Sequence, residues 1–279
     1  MKNKIYPCLW FNGNAKEAAT FYCSVFKDTN IEADTPLVVT LESAGQKFML
    51  LNGGPEFTFN PSISFFVLCE TEEEVDKAWN SLVAEGSVLM PLDKYEWSEK
   101  YGWVQDRFGI SWQLSFGKMQ DVGQKFTPTL MFTGPQHGRA EEAVHFYTSV
   151  FDNSAIIGIL RYSKGDNDVE GTVKHAQFKL DGNVFMVMDS SYPHAFHFNE
   201  AISFVVACET QEEIDYYWSK LTEGGSEGHC GWLKDKFGVS WQVVPTILER
   251  LMSEPVRRDR VMQAFMQMKK FDIEQLQNA

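Results

Sequence analysis

Apolar and polar positions along this chain switch repeatedly between helical and strand spacing. Ala18, Ala19, Phe21, Tyr22, Val25 and Phe26 recur at helical intervals, so residues 15–26 predict a helix. Residues 6–11 are short and mostly apolar. Residues 37–41 and 47–51, parted by Ala44-Gly45, are strand-like. Residues 63–68 form a nearly continuous apolar run with aromatic weight, which predicts a strand buried on both faces. Thr71-Glu72-Glu73-Glu74 is a capping-box start, with the Thr71 side chain on backbone N–H groups and Glu74 reaching back. Thr210-Gln211-Glu212-Glu213 has the same form. These two helices are expected to stop near Gly86 and Gly224-Gly225, with glycine in the left-handed cap. Strands at 101–105 and 111–116 then flank the turn Asp106-Arg107-Phe108-Gly109, where Gly109 is expected at positive φ.

The pattern occurs twice. Gly102-Trp103-Val104-Gln105-Asp106-Arg107-Phe108-Gly109-Ile110-Ser111-Trp112-Gln113 returns from Gly231 to Gln242, with eight of twelve positions identical. Phe21-Tyr22-Cys23-Ser24-Val25-Phe26 corresponds to Phe146-Tyr147-Thr148-Ser149-Val150-Phe151. Ile63-Ser64-Phe65 corresponds to Ile202-Ser203-Phe204, and Cys69-Glu70-Thr71 to Cys208-Glu209-Thr210. Such self-similarity fixes the architecture first. It predicts two homologous halves, 1–120 and 121–246, each of domain size, and a tail, 247–279, without a counterpart. The element order is βαβββ twice in each half.

Composition narrows the function. Aromatic content is 14%, with 22 Phe and 8 Trp, which predicts dense cores or aromatic-lined pockets. A net charge of −13 argues against nucleic acid and anionic membrane as partners. No apolar run reaches the length of a membrane span. The five cysteines form no CxxC pair, which points to a reducing cytoplasm. Cys69 and Cys208 occupy equivalent positions at the ends of apolar strands and are read as buried structural residues.

Three motifs carry a family resemblance: the helix ending Phe-Tyr-x-x-Val-Phe, the Asp-[Arg/Lys]-Phe-Gly-[Ile/Val]-Ser-Trp-Gln turn, and the Cys-Glu-Thr-x-Glu-Glu helix start. Together they resemble the PhnB-like branch of the vicinal oxygen chelate superfamily, which includes glyoxalase I, fosfomycin-resistance proteins and extradiol dioxygenases. The tail 261–270 also resembles the ending of two-copy members. The resemblance implies an α+β fold of tandem glyoxalase-like domains. Each is expected to be built of two βαβββ modules with a curved mixed sheet, followed by C-terminal helices. Some members carry the label 3-demethylubiquinone-9 3-methyltransferase. Fold alone does not carry chemistry over.

The superfamily holds a divalent metal through His and Glu or Gln side chains on strands, where it acts as a Lewis acid. Register places the first-strand His position on Pro7 and Pro128, the next near Ser64 and Ser203, and the last on Gln113 and Gln242. Proline has no ligating side-chain atom, and Ser with Gln is a poor set for Fe, Ni or Zn. No metal and no cofactor is therefore expected. All six histidines lie in the second half, so an active site is expected there, with the first half degenerate or structural. His175 and Gln177 alternate on one strand and face the same way. His194 and His197 lie in a loop-like stretch that can be wholly solvated, and Asp189, Asn199 and Glu200 are candidate rim groups. The candidate pocket residues are His175, Gln177, Ser203, Trp232, Gln242, Ser64, Trp103 and Gln113.

Other chemistry finds less support. Asn52-Gly53-Gly54-Pro55 is the nearest approach to a glycine-rich cofactor turn, and Pro55 breaks the helix start expected there. There is no P-loop, GxSxG or HExxH. Cys230 beside His229 is a weak nucleophile pair, because neighbours on a strand point apart. The tail reads as two helices, broken at Ser253-Glu254-Pro255, which pack across the domains or form a subunit interface. The expected function is holding a small organic molecule in a concave pocket, in a monomer or homodimer. The alternatives are a metal-dependent glyoxalase- or dioxygenase-like enzyme active in the second half, and a methyltransferase.

Overall fold

The computed structural model describes residues 4–279. Residues 1–3, which open the expected first half, lie outside it. Four βαβββ modules follow one another. The first is β1 (Ile5–Phe11), α1 (Ala15–Val25), β2 (Thr29–Asp34), β3 (Val38–Ser43) and β4 (Gln46–Asn52). The second is β5 (Ile63–Cys69), α2 (Glu72–Val83), β6 (Ser87–Tyr95), β7 (Ser98–Gln105) and β8 (Ser111–Phe116). A short helix, α3 (Met119–Val122), leads into β9 (Phe126–Phe132), α4 (Ala140–Val150), β10 (Ala155–Arg161), β11 (Val173–Leu180) and β12 (Asn183–Asp189). The fourth is β13 (Ile202–Cys208), α5 (Gln211–Thr222), β14 (Ser226–Glu227), β15 (Trp232–Lys234) and β16 (Ser240–Pro245). The tail forms α6 (Ile247–Ser253), α7 (Arg258–Met266) and α8 (Ile273–Asn278). The sixteen strands make two eight-stranded mixed sheets, so the chain has the α+β tandem glyoxalase-like fold with C-terminal helices.

By contacts the chain divides into two compact units, Leu9–Ile202 and Met1–Cys8 with Ser203–Ala279. The first unit contains one sheet entire, in the order β10-β11-β12-β9-β5-β8-β7-β6. This sheet joins the second module of the first half to the first module of the second half through the antiparallel pair β5–β9. β5 runs parallel to β8 and β12 parallel to β9, and the outer pairs are antiparallel. The same unit contains β2-β3-β4 of the other sheet. The second unit contains the β14-β15-β16-β13 run.

The helices cover one face of each sheet. The Tyr147 ring of α4 stacks on Phe178 of β11 with centroids 6.4 Å apart. Tyr22 of α1 lies 5.3 Å from Trp112 of β8, and Phe48 lies 5.6 Å from Phe65. The repeated turn is held by a buried carboxylate. Asp106 accepts the Phe108 and Ile110 N–H groups on Oδ1, and Tyr22 OH and Trp112 Nε1 on Oδ2. Asp235 accepts the Phe237 and Val239 N–H groups and Trp241 Nε1. The repeated Asp-x-Phe-Gly-x-Ser-Trp is thus a folding device. Gly109 takes φ 92° within it, as the pattern predicts.

Thr71 and Thr210 accept the N–H of Glu74 and Glu213, whose carboxylates reach back to the N–H of Glu70 and Glu209. The first helix stop differs from expectation and the second agrees with it. In the first half the left-handed residue is Glu85, at φ 63°, and in the second it is Gly224. Gly86 and Gly225 serve another purpose, since a Cβ on them would sit 2.4 Å from Gln105 O and 2.0 Å from Lys234 O. Glycine there lets the helix end run against a strand. Cys69 and Cys208 are buried, and burial pushes both thiols up to about 12.

The tail holds three helices, one more than the pattern predicts. The short α8 begins at Asp272, whose side chain accepts the Gln275 N–H. The β6–β7 hairpin of the first half shrinks to β14 and β15 in the second. Beside them the tail backbone bonds in instead, with Cys230 N–H on Met268 O and Gly231 N–H on Lys269 O.

Candidate functional site

On the face of this eight-stranded sheet opposite α2 and α4, one lateral row crosses every strand. Gly158 pairs with Gln177, Gln177 with Met186, Met186 with Thr129, and Thr129 with Ser64. Ser64 Oγ accepts Gln113 Nε2 at 2.7 Å. Gln113 then pairs with Trp103, and Trp103 with Met90. The row's face follows from its neighbours. Phe178, next to Gln177, meets Tyr147, and Gly102, next to Trp103, leaves room for the Trp79 ring of α2. Alternation therefore turns Gln177 and Trp103 away from the helices.

Five of the eight candidate residues share this face: His175, Gln177, Ser64, Trp103 and Gln113. The other three, Ser203, Trp232 and Gln242, lie in the second unit. There Trp232 pairs with Gln242, and Gln242 Nε2 donates to Ser203 Oγ at 3.0 Å. The candidates thus fall into two groups, and the first of them draws on both halves. His175 and Gln177 share a sheet with the first half's Ser64 and Gln113, because that sheet takes one module from each half. This could not be read from the repeat, which reports equivalence and not pairing.

On β9 the residue on the row's face is Thr129, next to the expected Pro128. Pro128 pairs with Phe65, which points into the aromatic core, while Thr129 pairs with Ser64 on the row's face. In the second unit the Cys8 thiol lies beside Gln242 and Ser203, and burial pushes it up to about 12. The residues that meet here are Thr129, Ser64 and Gln113 in one sheet, and Cys8, Ser203 and Gln242 in the other. They offer no imidazole and no carboxylate. The Gln113 carbonyl, the best oxygen donor among them, already accepts Tyr101 OH at 2.8 Å. These residues do not fit a divalent metal of the usual kind. Among the described residues, no three His, Cys, Asp or Glu side chains are grouped to hold one.

The two copies differ around their glutamines. Cys230 stands where Tyr101 stands in the first half, and its Sγ lies 3.6 Å from Phe265 O. Trp103 Nε1 donates to Ser111 Oγ at 2.6 Å, while the equivalent hydroxyl, Ser240 Oγ, is buried without a partner. Thr127 Oγ1, on the row's face two residues before Thr129, is also buried and unpartnered. Gln177 donates to Val122 O at 3.3 Å. His175 pairs with Leu160 at the open end of the row. It is exposed to solvent on one side yet closely surrounded by protein on the others, and that crowding lowers its imidazole below the ordinary value.

The remaining candidates are structural. Asp189 is fully buried and accepts the N–H groups of Gly138, Ala140 and Val173, so it is no rim group. His194 is not wholly solvated, since its Nε2 is 2.9 Å from Ser190 Oγ. Asn199 bonds Thr58 O and the Ala201 N–H, fixing its loop. The Gly53-Gly54 pair is packing for an indole. A Cβ on Gly53 would lie 2.3 Å from the Trp10 ring, whose Nε1 donates to Gly54 O. A cavity of about 20 Å³ among Tyr22, Phe48, Trp112 and Phe126 lies on the helix side and has room for about one water molecule. It is unrelated to the row.

The family described as 3-demethylubiquinone-9 3-methyltransferase matches residues 3–115 and again 124–244. A PhnB protein from Bacillus cereus is 37% identical over 40% of this chain and 98% of its own, with a TM-score of 0.37. Protein PA1353 from Pseudomonas aeruginosa is 25% identical over 39% of this chain and 93% of its own, with a TM-score of 0.36. Glyoxalase I from Zea mays is 13% identical over 90% of this chain and 95% of its own, with a TM-score of 0.60, a likeness of fold. No curated protein matches the sequence. No helix among the described residues is long and apolar enough to cross a membrane.

Proposed function

From the premise that this chain belongs to the family described as 3-demethylubiquinone-9 3-methyltransferase, we propose that it holds a small organic molecule on the row-bearing face of its sheet, without a metal at the superfamily's usual position. One observation carries this reading. Gln113, at the ligand position, is bonded at both ends of its amide, to Ser64 and to Tyr101. A side chain so engaged is held to orient a surface, and its carbonyl keeps only one lone pair for any further partner. Around it lie Met186, Trp103 and Thr129, a mainly apolar lining with a few placed polar groups, as small-molecule sites require.

Elemental analysis of protein purified without chelator, followed by a thermal-shift ligand screen, tests the proposal. We expect no stoichiometric Zn, Ni, Mn or Fe, and a ligand-dependent rise in melting temperature that Gln113→Leu removes. Stoichiometric metal lost on Gln113→Leu overturns it. One observation favours turnover as a second reading. His175 lies on the same face, and desolvation lowers its imidazole below the ordinary value, which favours the neutral form that can accept a proton. A His175→Ala variant that binds ligand but no longer converts it would support catalysis. The methyltransferase named in the family's description finds no cofactor cradle in Gly53-Gly54, which packs Trp10.

A further inference from the structure

The polar atoms on the row's face are not evenly split between donors and acceptors. The Gln113 carbonyl accepts Tyr101 OH on one of its two lone pairs. Its amide nitrogen spends one N–H on Ser64 and has a second left. Ser64 accepts that bond on its oxygen, so its hydroxyl proton remains to be given. Thr127 Oγ1 is buried with no partner at all. A buried hydroxyl without a partner costs about 1–3 kcal/mol unless something arrives to satisfy it. The central stretch therefore presents protons.

It presents no formal charge. The row itself, Gly158 to Met90, contains no Asp, Glu, Lys or Arg. Lys179 is on the same face but exposed, two residues beyond Gln177. An anion or cation at the centre would lose its hydration with no counter-ion to replace it. The flanks are soft and flat: the Met186 thioether on one side, and on the other the Trp103 indole, pinned to Ser111. The entrance is also defined. Leu160 is 57% exposed, and a Cβ added to Gly158 would meet nothing within 4 Å, so the β10 end is open.

We propose that this face selects an uncharged ring compound bearing a hydrogen-bond-accepting oxygen, such as a carbonyl, which enters over Gly158 and reaches Ser64, Gln113 and Thr127. The inference rests on the proposed function and adds the chemical class. An acid or an amine of the same shape is rejected for want of a partner charge, and a ligand without an acceptor leaves the second Gln113 N–H unanswered.

Titration calorimetry with matched probes tests it. One- and two-ring aromatics are each used as the neutral carboxamide, the carboxylate and the alkylammonium. The carboxamide is expected to bind at least about tenfold more tightly than either ion, a difference of about 1.4 kcal/mol. Thr127→Val is expected to weaken the carboxamide several-fold. Gly158→Trp, at an open position where the fold is not disturbed, is expected to block all binding. If carboxylate or ammonium binds as well as carboxamide and Gly158→Trp still blocks it, the site stands and the chemical class is overturned. If no probe binds, or binding ignores Gly158→Trp and Gln113→Leu, both the class and the site are overturned.

Discussion

Gln113 Nε2 lies 2.7 Å from Ser64 Oγ, and the same bond joins Gln242 to Ser203 at 3.0 Å in the other copy. Both members of each pair are buried. Gln113→Leu strands the Ser64 hydroxyl and the Tyr101 phenol, so it is expected to cost about 1–3 kcal/mol in urea unfolding. Adding Ser64→Ala should recover part of that loss, because the pair then leaves together. A double-mutant cycle with coupling above about 0.5 kcal/mol is the expected result. A strictly additive cycle contradicts the direct bond.

Asp106 sets a pH dependence. Burial raises its carboxyl above the ordinary value, although Trp112, Tyr22, Ile110 and Phe108 all donate to it. The folded chain thus holds this proton more tightly than the unfolded chain does. The group's contribution is fully present below its unfolded value of about 3.9 and is lost as pH rises through the raised folded value. Asp106→Asn cannot titrate, and its amide NH₂ would confront the Tyr22 and Trp112 donors. We expect the variant to be less stable by about 1–3 kcal/mol at neutral pH. The gap to wild type should widen toward about pH 3, where wild type has gained its proton. Comparing the two proteins cancels the carboxylates shifted the other way, such as Glu213 and Asp168. A gap that narrows on acidification would show the carboxyl to be lowered by its donors.

How much of this was legible in the sequence depends on the kind of feature. The repeat and the capping motifs at Thr71 and Thr210 are local, so strand, helix and turn positions followed from them. β2 and β10 had no placed prediction, because edge strands such as Ala155–Arg161 are exposed and carry no alternation. The site was legible residue by residue and not as a constellation. Ser64, Gln113 and His175 could each be singled out, but their shared face depends on the β5–β9 pairing, which no local pattern encodes. That Thr129, and not Pro128, lies on the row's face is hidden for the same reason. A slip of one residue turns a strand position to the opposite face.

Two glycines separate packing from openness. A Cβ on Gly225 would sit 2.0 Å from Lys234 O, against rigid backbone, whereas one on Gly158 would meet nothing. Gly225→Ala is therefore expected to lose about 1–3 kcal/mol from overpacking. Gly158→Ala should stay within about 0.5 kcal/mol of wild type, as surface changes do. Chemical denaturation of both variants checks the contrast. Equal losses would remove the argument that Gly225 is required by close approach.

The tail should be part of the second unit's core and not an appendage. Phe271 is 2% exposed, and its ring lies where a Cβ on Gly231 would come within 2.5 Å. Gln211, in the first turn of α5, clasps the segment on both sides, donating to Phe271 O and accepting the Ile273 N–H. Lys270 adds an ion pair to Asp215. Phe271→Ala should cost about 3–5 kcal/mol, the range for a fully buried phenylalanine. Lys270→Ala removes only an exposed pair and should cost less than about 1 kcal/mol. Hydrogen exchange gives the sharper readout. In Phe271→Ala the Cys230 and Gly231 amides, which bond to Met268 O and Lys269 O, should lose protection, while the Val67 and Leu114 amides in the other unit's central strands keep theirs. Uniform loss in both units would mean that the tail acts on global stability alone. Unchanged exchange at Cys230 and Gly231 would mean that it does not replace the missing hairpin.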